Sequence, residues 1–160
     1  MTQNTSVIES SHPPEMVLKV VNPVMRFLLR TPVGRRMHSM LVLGFTGRKT
    51  GHHYEIPLGA HRSGGELYVL TGARWQHNFA DARDVEVTLD GQTSSMRAVG
   101  LREPARIGEI YARRIAELGL KGAERQIGIK INVPRQPTAA EVADAVPREH
   151  LAAIRLEPRP

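Results

Sequence analysis

The chain has 160 residues, 41% of them hydrophobic and 24% charged, a composition typical of a folded protein with room for a core. The formal net charge of +6 favours an anionic partner, and the low aromatic content of 4% argues against base stacking, so we expect no nucleic acid. The absence of cysteine excludes disulfides and thiolate metal sites. No signal pattern or membrane-length apolar run is present, so a cytoplasmic location is expected.

The amino-terminal region divides into two predicted parts. Residues 1–13 are polar and predict a flexible or loosely docked tail, followed by a single domain over residues 14–160. From Pro14 to about Leu29, apolar residues recur at helical spacing, and the segment Arg30–His38 adds three arginines. We interpret this helix as one that covers the end of a barrel. The alternative is a basic amphipathic helix that contacts a membrane surface, which would make the protein membrane-associated.

From residue 39 the apolar period changes to two, which predicts short strands. The predicted strands are Ser39–Phe45, Tyr54–His61, Glu66–Thr71, Val85–Leu89, Gln92–Leu101 and Leu151–Leu156. An Asp-Gly turn between the fourth and fifth strands predicts a hairpin, and Pro57 predicts an edge strand or a bulge. About six antiparallel strands with few helices predict a mainly β fold, in the form of a small barrel.

Three helices are predicted between and after these strands. Residues 73–84 form one short helix, closed by Asp81 to Asp84, and residues 103–118 form an amphipathic helix with Pro104 in its first turn. Thr138 and Glu141 form a capping box that opens a third helix, expected to stop before Pro147. Residues 121–137 carry no readable pattern.

The segment GFTGRKTGHH, residues 44–53, has the glycines and cations of a phosphate-binding loop. It is not a Walker A motif, because the glycine spacing is wrong and a strand follows where that motif needs a helix. Gly47 and Gly51 bracket a tight turn whose N–H groups are expected to converge on an oxyanion. Arg48 supplies a bidentate fork, Lys49 a point charge and Thr50 a hydroxyl donor. A solvated hairpin turn is the alternative, which the spacing leaves open.

Other side chains are weaker candidates. His52 and His53 are adjacent and point to opposite faces of a strand, so no metal site is expected. Trp75 opens a helix after a strand end and is interpreted as the wall of a pocket for a planar ring, with core packing as the alternative.

Together the segments LVLGFTGRKTGHHYEIPL, GGELYVLTG and WQHNFADARDVEVTLDG resemble the deazaflavin-dependent nitroreductase family of split-barrel oxidoreductases. The resemblance implies a split β-barrel with an amino-terminal helix and peripheral helices. It also implies coenzyme F420, a deazaflavin with a phosphodiester and an oligoglutamate tail. The cofactor-binding residues it implies are Arg48, Lys49, Thr50, Gly51, Pro57, Thr71, Gly72, Trp75 and Asn78. The tail carboxylates would meet Arg35, Arg36 or Arg74.

The implied reaction is hydride transfer from the reduced deazaflavin to an electron-poor small molecule, such as an enone, a quinone or a nitro compound. By chemistry the candidate proton donors are Tyr54, Tyr111, Tyr68 and His52. The chain departs from the family at Tyr54, where an arginine is common, and at the short loop after Thr71, so nitro reduction is not assumed. FMN as the cofactor and a non-catalytic carrier remain alternatives, and a homodimer is consistent with the fold.

Overall fold

The computed structural model describes residues 7–10 and 39–159. The helix predicted from Pro14 and the arginines Arg35 and Arg36 lie outside the described residues. Within them the protein is mainly β with a few helices, and its principal sheet is a curled half-barrel, which confirms the predicted fold class.

Seven strands form the principal sheet, in the order β3-β2-β6-β7-β9-β5-β4. The strands of this sheet are β2 (Met40–Thr46), β3 (His53–Gly59), β4 (His61–Ser63), β5 (Glu66–Thr71), β6 (Arg83–Leu89), β7 (Gln92–Gly100) and β9 (Ala152–Pro158). The predicted strand Tyr54–His61 is divided at Ala60 into β3, which pairs with β2, and β4, which pairs with β5.

Two sequence features set the register of this sheet. Asp90 and Gly91 both have positive φ, so β6 and β7 are joined by the predicted two-residue hairpin turn. Pro57 lies opposite Val42 on β3, at the edge of the sheet, where the missing N–H of proline costs no inner ladder bond. Both predictions are confirmed.

A separate two-stranded sheet pairs β1 (Ile8–Ser10) with β8 (Ile129–Ile131). Residues 8–10 of the predicted tail are therefore docked by strand pairing, and Ile8 is fully buried. A three-residue strand is too short to show an alternating pattern, and its partner lies far along the chain. The rest of the predicted tail, apart from Val7, lies outside the described residues.

The described helices are α1 (Pro104–Leu118), α2 (Leu120–Ala123) and α3 (Ala139–Glu149), with a 3-10 helix at Arg74–Phe79 and a π-helical turn at Glu124–Gly128. The capping box of Thr138 and Glu141 opens α3 as predicted. The predicted stop before Pro147 is wrong, since α3 continues to Glu149 and ends at His150 in the left-handed conformation. A proline near the end of a helix removes only one intrahelical hydrogen bond, so the last turn still forms. The helix predicted over residues 73–84 is shorter, because Arg83 and Asp84 already belong to β6.

The chain divides into two compact units whose segments alternate in sequence. The first unit comprises Met1–His12, Leu70–Gln76 and Leu101–Ala153, and holds β1, β8 and the three α-helices. The second comprises Pro13–Val69, His77–Gly100 and Ile154–Pro160, and holds most of the principal sheet. This division does not decide the prediction of a single domain over residues 14–160.

Candidate functional site

The segment that joins β2 to β3, residues 47–52, is called the basic turn below. Its own hydrogen bonds close it: the Gly47 N–H donates to the His52 carbonyl at 2.7 Å, and the Gly51 N–H donates to the Gly47 carbonyl at 3.0 Å. The His52 N–H donates to Thr50 Oγ1 at 3.2 Å. Gly51 has a φ of +72°, a conformation that only glycine adopts without strain. The turn is therefore a defined structure built from its own residues.

The basic turn is also tied to the segment that leads into β6. The Arg48 backbone N–H donates to Asn78 Oδ1 at 2.7 Å. The Arg83 guanidinium donates to the Thr46 carbonyl at 2.6 Å and to the Asn78 carbonyl at 3.5 Å. Its carbon lies 6.0 Å from the centre of the Phe79 ring, within the range of a cation–π contact. The two predicted site residues Arg48 and Asn78 are thus brought into direct contact.

These bonds change which groups of the turn face a ligand. The N–H groups of Gly47, Arg48, Gly51 and His52 donate within the protein, so the expectation that they converge on an oxyanion does not hold. The side chains of Arg48 and Lys49 are exposed, and no carboxylate among the described residues pairs with either cation. These four amides are therefore not available to an anion, whereas the exposed side chains of Arg48 and Lys49 are.

A pair of hydroxyl groups lies beside these cations. Thr50 Oγ1 and the Tyr54 hydroxyl are 3.3 Å apart, and Tyr54 is 39% exposed. The Tyr54 ring contacts Phe45, with centroids 5.6 Å apart. Gly47 lies beneath the pair, since a Cβ atom there would come within 2.8 Å of both Thr50 Oγ1 and Tyr54 Cε2. A residue with a side chain at position 47 would displace one of the two hydroxyls.

The other predicted residues of the second unit take less specific positions. Pro57 is half-buried on β3. His53 Nε2 lies 3.7 Å from Glu55 Oε1, and the residues that the structure describes contain no cluster of three or more metal-ligand side chains.

In the first unit, Thr71 is the last residue of β5, and Gly72 and Trp75 follow it. Thr71 Oγ1 accepts from the Ala73 N–H at 3.0 Å and shapes the turn into the 3-10 helix. A Cβ atom at Gly72 would overlap Ser10 Oγ of β1 and lie 3.2 Å from Ser10 Cβ, so a side chain there would require Ser10 to move. Trp75 is half-buried, which leaves part of its ring accessible, and Arg74 is exposed.

Comparison with known proteins identifies the family. Residues 20–134, more than half of the chain, match the family model described as F420H(2)-dependent quinone reductase. The chain belongs to the F420H(2)-dependent quinone reductase family. The protein is accordingly an oxidoreductase that depends on F420, as the sequence predicted. FMN is only a secondary candidate for the cofactor. The family description names a quinone and leaves the nitro and enone substrates unsupported.

The other comparisons add little. No curated protein matches the chain. One solved structure, described as a domain-swapped dimer, covers 91% of this chain and 100% of its own, at 17% identity and a TM-score of 0.48. A likeness at this level carries no conclusion about assembly, so the homodimer stays a prediction. No helix among the described residues is long and apolar enough to cross a membrane.

The basic turn of this quinone reductase family member suits the cofactor that the family uses. A phosphodiester needs cationic or hydroxyl donors, and Arg48, Lys49 and Thr50 present these types from one exposed turn. The two cations lie close in sequence without a described carboxylate to neutralise them. The residues present therefore fit the phosphate of F420.

The four candidate proton donors differ in how deeply they are buried. Tyr111 is fully buried, donates to the carbonyls of Ala152 and Thr71 at 2.9 and 3.4 Å, and has a pKa raised well above its usual range by burial. Tyr68 is buried and donates to Glu66 at 2.5 Å. Both phenols are held inside the protein, which assigns them structural roles. Tyr54 and His52 are exposed at the basic turn.

One residue of this site, Arg83, was missed by sequence reasoning. The segment ADARD predicted the end of a helix, and no local pattern marks an arginine that reaches back to the end of β2. Its role depends on the antiparallel pairing of β2 with β6, which places Gly44 opposite Glu86. A cavity of about 440 Å³ elsewhere in the second unit is lined by residues of β5, β6, β7 and β9, and none of the predicted site residues lines it.

Proposed function

We propose that the protein uses reduced F420 to reduce a quinone, or a similarly electron-poor enone or nitro compound. The observation that carries this proposal is the basic turn: Arg48 and Lys49 are exposed and have no described counter-charge, in a chain of the F420H(2)-dependent quinone reductase family. A cation that is buried or ion-paired within the protein has a structural role and gives no indication of a ligand. Two exposed cations without a counter-charge among the described residues favour an anionic ligand.

In this proposal the residues of the basic turn hold the phosphate. The Arg48 guanidinium binds two of its oxygens, Lys49 supplies a point charge, and Thr50 donates its hydroxyl hydrogen. Gly51 provides the positive φ that lets the turn close beside a bulky anion. Pro57, Thr71, Gly72, Trp75 and Asn78 remain predicted cofactor-binding residues, each to be tested by its own substitution. For the carboxylates of the cofactor tail we propose Arg74, whose side chain is exposed.

When bound, the reduced cofactor supplies a hydride, the equivalent of two electrons and one proton. A quinone that accepts the hydride also takes up one proton to become a hydroquinone. Tyr54 and His52 are the candidates exposed at the turn, and we propose that one of them, or the solvent they contact, delivers that proton. The remaining task of the protein is to orient the two reactants.

The proposal is tested by titrating the purified protein with F420 and with FMN. Replacing Arg48 and Lys49 together by alanine is expected to weaken F420 binding by several kcal/mol, because each charge-assisted contact contributes about 1.5–3 kcal/mol. The matched control is the double variant Arg106→Ala/Lys121→Ala, which removes two exposed cations of the first unit and should leave the affinity unchanged.

Three outcomes separate the alternatives. Failure of both cofactors to bind at micromolar concentration overturns the proposal. Binding of F420 without reduction of a menadione-type quinone, an enone or a nitro compound favours a carrier. Stronger binding of FMN than of F420 favours the flavin alternative. An affinity that the Arg48→Ala/Lys49→Ala variant retains would remove the phosphate role of the turn.

Two further proposals concern the assembly of the protein and its contact with membranes. A homodimer is proposed from the split-barrel resemblance, and light scattering of the full chain decides it. Membrane-surface contact is proposed from the basic amphipathic pattern of residues 14–38, and co-sedimentation with anionic vesicles tests it.

A further inference from the structure

We propose that Asn78 and Arg83 are positioning residues that hold the basic turn in the orientation in which Arg48 meets the cofactor phosphate. This inference rests on the proposed function and assigns a role to a part of the site that the function leaves unexplained. The two residues are called the clasp below. The clasp includes Arg83, which no sequence pattern marked, and it gives Asn78 a different task from direct cofactor binding.

Asn78 holds the turn at its first cationic residue. The bond from the Arg48 N–H to Asn78 Oδ1 is 2.7 Å long and joins residues 30 positions apart. The bonds from Gly47 to His52 and from Gly51 to Gly47 close the turn on itself, but they do not fix its direction at the tip of the β2–β3 hairpin. A tie from outside the hairpin is what restricts that direction.

The chemistry of the asparagine side chain decides which of its ends faces the turn. A backbone N–H needs an acceptor, so the amide oxygen of Asn78 is the atom directed at Arg48. A phosphate oxygen is itself an acceptor and gains nothing from another oxygen. The carbonyl end of Asn78 therefore acts on the protein, and its contribution to binding passes through Arg48.

Arg83 in turn holds the backbone that carries Asn78. Its guanidinium donates to the Thr46 carbonyl at 2.6 Å, where β2 ends, and to the Asn78 carbonyl at 3.5 Å. The planar fork of arginine spans two carbonyls, whereas the ammonium of lysine is a compact point charge. One side chain thereby links the end of β2 to the segment before β6.

An aromatic contact supports the same link. The Arg83 guanidinium carbon lies 6.0 Å from the centre of the Phe79 ring, and Phe79 is buried. Phe79 packs edge-on against Phe45 of β2, with ring centroids 5.0 Å apart. Phe45 also contacts Tyr54 on the far side of the turn. These ring contacts and the hydrogen bonds of Asn78 and Arg83 both join the end of β2 and the turn to the segment before β6.

The test is a double-mutant cycle on F420 affinity, measured by calorimetry and without turnover. Asn78→Ala and Arg83→Lys are each made in the native chain and in the Arg48→Ala background. In the native chain each is expected to weaken F420 binding about tenfold, the effect of a lost hydrogen bond to a group that must be oriented. In the Arg48→Ala background each effect is expected to shrink to about twofold or less, because the side chain being positioned is gone.

The matched control is Gln76→Ala, which removes a side-chain hydrogen bond of 2.5 Å to the His150 carbonyl from the same 3-10 helix. It should leave F420 affinity unchanged in both backgrounds. Thermal unfolding of each variant shows whether the fold is retained. Lysine is chosen at position 83 because it keeps the positive charge, whereas a variant with a smaller residue there could fail to fold. A role confined to folding would lower the melting temperature and leave affinity the same.

Each outcome decides one statement. Equal weakening by Asn78→Ala in both backgrounds overturns the inference, since Asn78 would then bind the cofactor directly. No weakening in the native chain also overturns it. Failure of Arg48→Ala itself to weaken binding overturns the proposed phosphate grip instead, so the two failures are distinguishable.

Discussion

Tyr54 is the residue at which this chain departs from the arginine that is common in the family it resembles. Thr50 Oγ1 accepts from the His52 N–H and lies 3.3 Å from the Tyr54 hydroxyl. The two hydroxyls have two hydrogens between them, and the bond that joins them uses one. One hydrogen is left to donate to an anion, whichever hydroxyl carries it. The pair therefore replaces a permanent charge by a single neutral donor.

Replacing Tyr54 by phenylalanine removes that hydroxyl and keeps the ring against Phe45. We expect F420 affinity to change about twofold or less, because Thr50 then keeps its own hydroxyl hydrogen to donate to the anion. Isothermal titration measures the change, and Tyr68→Phe serves as a control because its hydroxyl is bonded to Glu66 inside the protein. A loss of about tenfold or more would instead mean that the Tyr54 hydroxyl itself donates to the phosphate.

At the scale of elements, the crossing of α1 and α3 depends on a residue without a side chain. A Cβ atom at Gly108 would lie 2.5 Å from the Ala139 carbonyl oxygen and 2.9 Å from the Ala143 nitrogen, both backbone atoms of α3. The two helices pack directly at this point, and backbone atoms cannot turn aside as a long side chain does.

Gly108→Ala is therefore expected to destabilise the protein, although alanine favours an isolated helix by about 1 kcal/mol over glycine. The clash should outweigh that gain and leave a net loss of about 1–3 kcal/mol, as for other overpacked sites. Urea unfolding gives the free energy. Gly122→Ala is the contrasting variant, because a Cβ there comes only within 3.5 Å of Leu118 Cβ. A stabilised Gly108→Ala protein would show that the helices separate easily.

The start of α3 carries an ion pair whose effect depends on pH. Arg135 donates to both carboxylate oxygens of Glu141, at 2.6 and 2.9 Å, and Glu141 also belongs to the capping box with Thr138. The hydrogen bond from Arg135 is the first cause that lowers the pKa of Glu141 from 4.5 to about 2. The native state thus favours the ionised carboxylate more than the unfolded chain does.

Because the folded pKa is the lower one, the stabilisation is complete above pH 4.5 and disappears as the pH falls toward 2. We expect Glu141→Gln to be less stable than the native protein at neutral pH, with the difference narrowing through that window. Thermal unfolding at a series of pH values measures it, with Glu117→Gln on α1 as a second exposed ion-pair control. A difference that stays constant down to about pH 2 would contradict the assignment to the ionised carboxylate, since glutamine can also serve in a capping box.

At the scale of the whole molecule, cofactor binding should be visible as stability. A ligand that binds only the folded chain raises the free energy of unfolding by about 2.7 kcal/mol at a hundred times its dissociation constant. F420 at that concentration is expected to raise the melting temperature of the native protein and to raise it less in the Arg48→Ala/Lys49→Ala variant. Equal shifts in both proteins would place the binding energy away from the basic turn.

Much of the fold follows from local patterns, because each pattern had a physical cause that acts over a few residues. The period of two placed the strands of the principal sheet, the Asp-Gly pair placed the β6–β7 hairpin, and the capping box placed the start of α3. No local pattern predicts the pairing of β1 with β8, since both strands have three residues and a period cannot be recognised over three residues.

The sequence by itself determined the mainly β class, the positions of most elements, the family and the anionic character of the ligand, since composition, periodicity and short motifs are local properties. The tertiary structure alone decided which groups of the basic turn remain for a ligand. It used four backbone amides inside the protein and brought Asn78 and Arg83 to the turn. It also buried Tyr111, leaving Tyr54 and His52 at the surface. Hydrogen bonds between residues 30 or more positions apart depend on how strands pair, and that pairing leaves no mark in any one segment.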